Sequence, residues 1–259
     1  MHDGGCDDFF VGYLATPPAL RRFLWRITPT ALLLSIALAW LVTTQQRDPG
    51  TGVWQSGQPR EYTGLIIAEP YPHLCVGSQV GESQPGGIEI ILLVEVGKFG
   101  GGQRAAAFDG RIVTLTGWPL ERDGRRMIEL EPGDTIRTAA DDSDARRHQL
   151  KPQRKSIAPA TLRGEIVDSK CYLGAMKPGK GKPHKECATL CIAGGIPPML
   201  VSTDAGGSRT YSLLCDRDRR ALDIRLLPFV ADWIELTGMR ERWGDLDVLL
   251  IDVADLRRL

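Results

Sequence analysis

The sequence predicts a mainly β protein, in which one N-terminal transmembrane helix is followed by two small barrels in tandem. Three observations lead to this fold class. An uncharged apolar run occupies residues 27–42, close to the N-terminus. Short alternating or apolar runs, joined by glycine and proline, follow it and are typical of strands and tight turns. Four patterns of the first half then recur in the same order in the second half.

The apolar run becomes long enough to span a bilayer once its flanks are included. We assign residues 1–22 to a cytoplasmic tail and residues 23–44 to the transmembrane anchor, because a span needs about 20 residues. Arg21, Arg22 and Arg26 precede the run, and basic residues favour the cytoplasmic side. The sequence therefore predicts a single-pass protein of the bacterial inner membrane, with a cytoplasmic N-terminus and periplasmic C-terminal domains.

A cleaved signal peptide is the alternative interpretation of this run, with Ala37-Leu38-Ala39 as a small-x-small cleavage site. We favour the uncleaved anchor because Trp40, Leu41 and Val42 continue the apolar run past that site.

Composition limits the choice of partners. The chain has 259 residues, with 32 basic and 32 acidic side chains and a formal net charge of zero. A nucleic-acid-binding protein usually carries a clearly basic domain, so nucleic acid is not expected as a partner.

The repeat divides the rest of the chain. Thr63-Gly64-Leu65 corresponds to Arg163-Gly164-Glu165, and Gly86-Gly87-Ile88 corresponds to Gly194-Gly195-Ile196. The first copy lacks a clear third strand and helix, and we interpret it as degenerate. Its residues 110–133 nevertheless predict a hairpin with its turn at Arg122-Asp123-Gly124. The second copy has a full set of elements, and we expect it to have a core of its own. The predicted segments are a linker at 45–60, a first domain at 61–137, a second linker at 138–159 and a second domain at 160–259.

The second copy shows the predicted order of elements most clearly. Its strands are predicted at residues 161–169, 196–203 and 210–215, with a helix at 216–227 and a closing hairpin at 233–253. Three strands, a helix and two strands is the order of an OB-fold, a five-stranded barrel. We therefore predict two OB-like barrels. In that fold the loop between the first two strands borders the ligand face, and here it carries a long insertion.

This insertion holds a cluster of cysteine and histidine. His184, Cys187 and Cys191 follow H-x2-C-x3-C spacing, and a helix over residues 185–193 would place them on one face. Cys171 lies sixteen positions before Cys187 and can fold back over that face. Three interpretations stay open: a disulfide among Cys171, Cys187 and Cys191 with a spare thiol, a metal site that includes His184, or a redox thiol pair. The candidate ligands are zinc, copper or haem.

Other residues give weaker signals. Lys177, Lys180, Lys182 and Lys185 flank the cysteines. They are either a solvated loop or an anion-binding site assisted by the helix N-terminus. Asp168 has no histidine at a readable spacing, so a hydrolase is not supported and no catalytic residue is assigned. Lys98, in the glycine-rich loop of the first copy, is the weakest candidate for anion binding.

The insertion also resembles a known kind of segment. The run DSKCYLG from Asp168, the H-x2-C-x3-C pattern and the run GGIPP from Gly194 resemble a segment of uncharacterised, membrane-anchored bacterial proteins. The resemblance covers residues 164–201 and implies an association with exported oxidoreductases. The layout also looks like that of the haem chaperone of cytochrome c maturation, an anchored periplasmic OB domain. That family binds haem through a histidine near its C-terminus, whereas this chain has no histidine after His184.

These observations predict a membrane-anchored periplasmic accessory protein for redox, metal or haem chemistry, with a periplasmic oxidoreductase or another protein as its partner. The alternative is a disulfide-stapled scaffold or partner-binding module without metal. A thiol-exchange enzyme is a third hypothesis, disfavoured by the absence of a C-x-x-C motif.

Overall fold

The computed structural model describes residues 16–45, 50–77, 87–203 and 209–259. The chain divides into two compact units, Met1–Asp48 and Pro49–Leu259. Cys6 of the tail and Gly86 of the predicted repeat lie outside the described residues.

The described part of the first unit is one helix, α1 (Pro18–Gln45). Its 26 residues Leu20–Gln45 are long and apolar enough to cross a membrane, since they rise about 39 Å against a hydrocarbon thickness of about 30 Å. The Thr30 hydroxyl donates to the carbonyl of Arg26 at 2.8 Å, which satisfies this polar group within the helix. A helix of membrane-spanning length is thus present where predicted. Its orientation, its membrane and its retention as an anchor stay predictions.

The second unit begins with a barrel-like sheet. Its strands are β1 (Val53–Trp54), β2 (Arg60–Ile67), β3 (His73–Gly77), β4 (Ile88–Val94), β5 (Ile112–Arg122), β6 (Arg125–Leu130) and β7 (Ile136–Thr138). Five of them close on themselves in the order β5-β2-β3-β4-β6-β5. The β4–β6 pair is parallel and the other four pairs are antiparallel. A short helix, α2 (Gly102–Ala105), and a 3-10 turn, Ala106–Phe108, lie between β4 and β5.

A second barrel-like sheet follows the helix α3 (Asp144–Leu150). Its strands are β8 (Arg154–Asp168), β9 (Pro198–Thr203), β10 (Arg209–Asp216), β11 (Trp233–Trp243), β12 (Leu246–Ile251) and β13 (Arg257–Arg258). The closed order is β11-β8-β9-β10-β12-β11, again with one parallel pair, β10–β12. A 3-10 helix, Ile224–Phe229, lies between β10 and β11. The two sheets therefore share one strand order, which fits the predicted mainly β, barrel-like fold.

The hairpin turn predicted in the first copy is confirmed. β5 and β6 are joined by Asp123 and Gly124, whose φ angles are both positive, at 49° and 77°. An Asp-Gly pair in this conformation forms the two-residue turn whose twist matches that of antiparallel strands.

The first barrel is more complete than the sequence predicted. β3, at His73–Gly77, is a strand that the sequence did not predict, and β4 is the third strand of its barrel. The proposed match between the Gly86-Gly87-Ile88 and Gly194-Gly195-Ile196 patterns is therefore wrong. The first pattern leads into β4, the third strand of its barrel, whereas the second leads into β9, the second strand of its barrel. The sequence did not predict β3 because its first three residues are all buried. Such a segment lacks the alternation of apolar and polar residues that identifies a half-exposed strand.

Two other predicted boundaries differ from the structure. Residues 138–159 include α3, whose N-terminus is capped by the Ser143 hydroxyl, and the start of β8. The helix predicted at 216–227 begins only at Ile224. The Asp216 carboxylate accepts the amides of Asp218 and Arg220, and this local turn replaces the first helical turn.

Each barrel has an interior cluster of its own, and a third cluster contains residues of both barrels. Ile66, Leu93 and Ile128 belong to the first interior, whereas Leu200 and Leu249 belong to the second. The shared cluster includes Leu65, Ile90, Met127, Cys191, Leu213 and Trp243. The second barrel thus does not bury all of its apolar surface by itself, contrary to the expectation of a wholly separate core.

The repeated glycine of the first strand has a packing reason in both barrels. A Cβ atom at Gly64 would lie 2.6 Å from the carbonyl oxygen of Cys75, and one at Gly164 would lie 2.3 Å from that of Val201. In each barrel the glycine lets the second strand cross close to the first, as sheet closure requires. The part of the sequence repeat that contains Gly64 and Gly164 therefore marks equivalent places in the two barrels.

We predict that Gly164→Ala destabilises the second unit by about 1–3 kcal/mol, because the new methyl group forces β8 and β9 apart. Denaturant unfolding would measure the loss. Gly57→Ala is the matched control, since a Cβ atom there has no neighbour within 4 Å. Equal stability of the two variants would contradict the packing explanation.

Candidate metal-binding site

The insertion between β8 and β9 folds into three short elements. A wide π-helical turn, Cys171–Ala175, is followed by a 3-10 turn, Lys182–His184, and by helix α4 (Lys185–Ala193). The predicted helix over 185–193 is confirmed. It ends where the amides of Gly194 and Gly195 donate to the carbonyls of Leu190 and Ile192, each at 3.0 Å.

Three cysteine sulfurs meet at this insertion. The sulfurs of Cys171, Cys187 and Cys191 all lie within 4.8 Å of one another. Cys187 and Cys191 are neighbours on one face of α4, and Cys171 comes from the π-helical turn. Cys171 and Cys191 are buried, whereas Cys187 is half-buried. All five cysteines of the described residues are free thiols, so the predicted disulfide is not formed in this structure.

His184 lies beside Cys171 and the carboxylate of Asp168, which the sequence pattern did not indicate as a site residue. Its Nε2 atom is 3.1 Å from Oδ2 of Asp168, and Oδ1 of Asp168 accepts the amide of Cys171 at 2.8 Å. Asp168, Cys171 and His184 are all buried and form a second group with ligand atoms within 4.8 Å. The four predicted ligands therefore fall into two overlapping groups that share Cys171. No local spacing reveals the Asp168–His184 contact, because the two residues are sixteen positions apart.

Lys98 of the first barrel completes the cluster. Its Nζ atom lies 2.7 Å from the sulfur of Cys187 and 3.7 Å from that of Cys191. The loop that carries Lys98 touches the end of α4, where the Gly100 amide donates to the carbonyl of Gly194 at 2.9 Å. A Cβ atom at Gly194 would lie only 1.9 Å from the carbonyl oxygen of Lys98, so a glycine is needed there. The two glycine-rich runs of the sequence thus meet, and their contact brings an ammonium group to the thiols.

The thiols have unequal proton affinities. A hydrogen bond from Cys171, assisted by the charge of Lys98, lowers the pKa of Cys191 to about 7 against the effect of burial. The same hydrogen bond holds the proton of Cys171 and, with burial and the Asp168 charge, raises the pKa of Cys171. The hydrogen bond to Cys187 raises the pKa of Lys98. Near neutral pH the cluster therefore favours one thiolate beside a protonated lysine.

The lysines predicted to bind an anion have different surroundings. The ammonium groups of Lys182 and Lys185 both contact Oδ1 of Asp232, and Lys185 does so at 3.0 Å. Although burial opposes ionisation, hydrogen bonds from Lys182, Arg258 and Lys185 hold the pKa of Asp232 well below its ordinary value. Lys177 is exposed and Lys180 is half-buried. Lys182 and Lys185 are thus already paired with one carboxylate, which they share with Arg258. An anion site at these lysines stays a prediction.

Lys170 is the buried lysine that fixes the insertion to the first barrel. Its Nζ atom lies 2.6 Å from Oε2 of Glu129, and the side chains of both residues are nearly inaccessible, at 6% and 4%. The same ammonium donates to the carbonyls of Glu95 and Gly97, each at 2.8 Å. Gly97 directly precedes Lys98, so Lys170 also holds the loop that reaches the thiols.

We expect Lys170→Met to destabilise the second unit by about 3–5 kcal/mol, because it leaves the carboxylate of Glu129 buried and unpaired. Replacing Glu129 by Leu in the same chain should recover part of this loss. Lys177→Met, at an exposed position, should change the free energy of unfolding by no more than about 0.5 kcal/mol. Urea unfolding of the three variants checks the ranking, and a neutral effect of Lys170→Met would rule out this role.

The donor atoms fit a thiophilic metal ion. Zinc and copper(I) prefer thiolate and imidazole ligands. Two thiolates bound tetrahedrally to one zinc ion at about 2.3 Å lie roughly 3.8 Å apart, so the three sulfurs need to move little to bind one ion. No protein-family model, curated protein or solved structure matches this chain, and its function must therefore be inferred from the site.

Proposed function

We propose that this chain is a membrane-anchored accessory protein that holds one thiophilic metal ion, zinc or copper(I), through Cys171, Cys187 and Cys191. The convergence of the three sulfurs within 4.8 Å is the observation that supports it. These sulfurs come from two separate elements, and such an arrangement requires the tertiary fold. Delivery of the metal to an exported oxidoreductase would be the corresponding role.

The barrel topology supports the same proposal. We assign both barrels to the OB type, because each closes five strands with a parallel third-to-fifth pair. Each also has a short helix or 3-10 helix between strands three and four. The thiol cluster lies in the loop between strands one and two, a loop that such barrels use for ligands.

Charge balance favours zinc, a divalent ion, over copper(I) at this site. Three thiolates and one divalent ion sum to a charge of minus one, and the ammonium of Lys98 would neutralise it. Neutrality matters because two of the three sulfurs are buried, and an uncompensated buried charge is costly. Lys98 would thus support metal binding from outside the ligand set.

His184 has a supporting role in this proposal. Its contact with Asp168, which in turn accepts the Cys171 amide, would orient the π-helical turn and its sulfur. Residues that orient metal ligands commonly change metal affinity by about 10–100-fold when they are removed. Direct ligation by His184 is the alternative that the sequence predicted. In that case removal of His184 would cause a larger loss of metal affinity.

We predict stoichiometric zinc or copper in the reduced protein purified without chelator, and its loss in Cys191→Ser. His184→Ala should keep the metal but weaken affinity by about 10–100-fold. His148→Ala, at an exposed histidine of α3, is the control and should bind as the wild type does. Metal-to-protein ratios and competition with a chromogenic chelator give these values.

Binding should also weaken as the pH falls through the pKa of Cys191, which is about 7, because protons compete for the thiolate. A metal-free wild-type protein, reduced and supplied with zinc and copper(I), would eliminate the proposal in favour of a scaffold or partner-binding module.

We further propose that the anchor has its N-terminus in the cytoplasm and that Pro49–Leu259 is periplasmic, based on Arg21, Arg22 and Arg26 before the apolar run. A reporter that is active only in the periplasm, fused after Leu259, should be active. A cytoplasm-specific reporter at the same position should be silent. The reverse pattern would place the thiols in the cytoplasm and remove the exported role.

A further inference from the structure

The three sulfurs are not equivalent as disulfide partners. Cys187 and Cys191 are four residues apart on α4, and helical side chains at this spacing have Cβ atoms about 5–6 Å apart. A disulfide needs Cβ atoms about 3.5–4.5 Å apart. This pair therefore cannot form a disulfide while α4 remains helical. Cys171 belongs to a different element and its sulfur lies within 4.8 Å of both others, so an internal disulfide of the cluster must contain Cys171.

The three sulfurs also differ in access. Cys187 is half-buried, whereas Cys171 and Cys191 are only 5% and 1% exposed. An external molecule can therefore reach the sulfur of Cys187 more easily than that of Cys171, which is buried within 4.8 Å of it. An accessible thiol with a second thiol close by is the arrangement needed for thiol–disulfide exchange.

We infer that this cluster reduces external disulfides, with Cys187 as the attacking sulfur and Cys171 as the resolving sulfur. The sulfur of Cys187 attacks one sulfur of the external disulfide. The external S–S bond breaks, a mixed disulfide with Cys187 forms, and the first external thiol leaves with the proton that Cys187 has lost. The sulfur of Cys171 then attacks the sulfur of Cys187. The second external thiol leaves with the proton of Cys171, and a Cys171–Cys187 disulfide remains.

The electrons of this exchange balance. The two cysteines lose two electrons in total, and the external disulfide gains them as it becomes two thiols. The substrate class is a small or protein disulfide with one exposed sulfur. The C-x-x-C motif is not needed, because the fold brings together two sulfurs that are sixteen residues apart.

Metal holding and disulfide reduction exclude each other, and this part of the inference rests on the proposed function. The Cys171–Cys187 disulfide consumes two of the three metal ligands. Oxidation would therefore release the ion, and a bound ion would block the exchange. The site would thus hold metal only while it is reduced.

The test uses the full-length chain in detergent, with Cys6→Ser to remove the thiol of the tail. Reduced, metal-free protein is treated with oxidised glutathione, and its intact mass, disulfide-linked peptides and released glutathione are measured. We expect two glutathione molecules released per chain and one internal disulfide that contains Cys171. Cys171→Ser should stop at a glutathione adduct on Cys187, and Cys187→Ser should react about tenfold more slowly or worse.

Two outcomes would overturn the inference. One is a Cys187–Cys191 disulfide in Cys171→Ser, and the other is a wild-type protein that accumulates the adduct without an internal disulfide. Cys191→Ser covers the case in which Cys171→Ser does not fold, because it must still form the Cys171–Cys187 bridge. Failure to form that bridge also refutes the inference.

A parallel experiment with the zinc-loaded protein separates the two proposals. Zinc release in step with disulfide formation is the expected result. A protein that binds no metal but forms the internal disulfide would disprove the proposed function and leave the exchange standing. A protein that binds metal and forms no internal disulfide would disprove the exchange reaction and leave the proposed function standing.

Discussion

The ion pair between Lys170 and Glu129 is the contact on which the arrangement of the thiol cluster depends. Both side chains are almost inaccessible, and a buried ammonium is tolerated only when its donors are satisfied. Lys170 satisfies them with one carboxylate and with the carbonyls of Glu95 and Gly97. These partners all belong to the first barrel, whereas Lys170 directly precedes Cys171 in the insertion of the second. The requirement to pair one charge therefore fixes the position of the cysteine turn on the neighbouring barrel.

The same contact explains why the first barrel takes part in the chemistry. The loop held at Gly97 continues through Lys98 to Gly100, which meets Gly194 at the end of α4. Lys170 holds one end of this loop and the glycine contact holds the other, so the ammonium of Lys98 lies over Cys187 and Cys191. The cluster shared by the two barrels adds apolar contacts around these polar ones. The site thus belongs to the pair of barrels and is not confined to the barrel whose sequence contains the cysteines.

The surroundings of the cluster suit sulfur chemistry of more than one kind. A thiol cluster beside an ammonium group can supply metal ligands and also a nucleophile. Asp168 orients Cys171 through its amide and holds His184 through its other oxygen. Because one small set of sulfurs serves both uses, their oxidation state decides which use is available. This competition links the proposed metal site to the inferred exchange reaction.

Features that depend on local patterns could be predicted from the sequence. Apolar length predicted α1, the Asp123-Gly124 pair predicted a hairpin turn, and helix-forming residues before a glycine pair predicted α4. Repeated glycines also indicated two barrels of one kind. The sequence could not reveal β3, because its first three residues are buried and no alternation marks the strand.

The set of side chains that share the site depends on the tertiary structure. Asp168 and His184 are sixteen residues apart, and Lys98 is about ninety residues from Cys187. Contacts at such separations arise from strand closure and from the packing of one barrel on the other, and neither leaves a local spacing in the sequence. The local sequence therefore determined the cysteine and histidine types and the helix that carries Cys187 and Cys191. The packing of the two barrels determined that Cys171 joins the other two sulfurs, that His184 turns to Asp168, and that a lysine supplies the nearby charge.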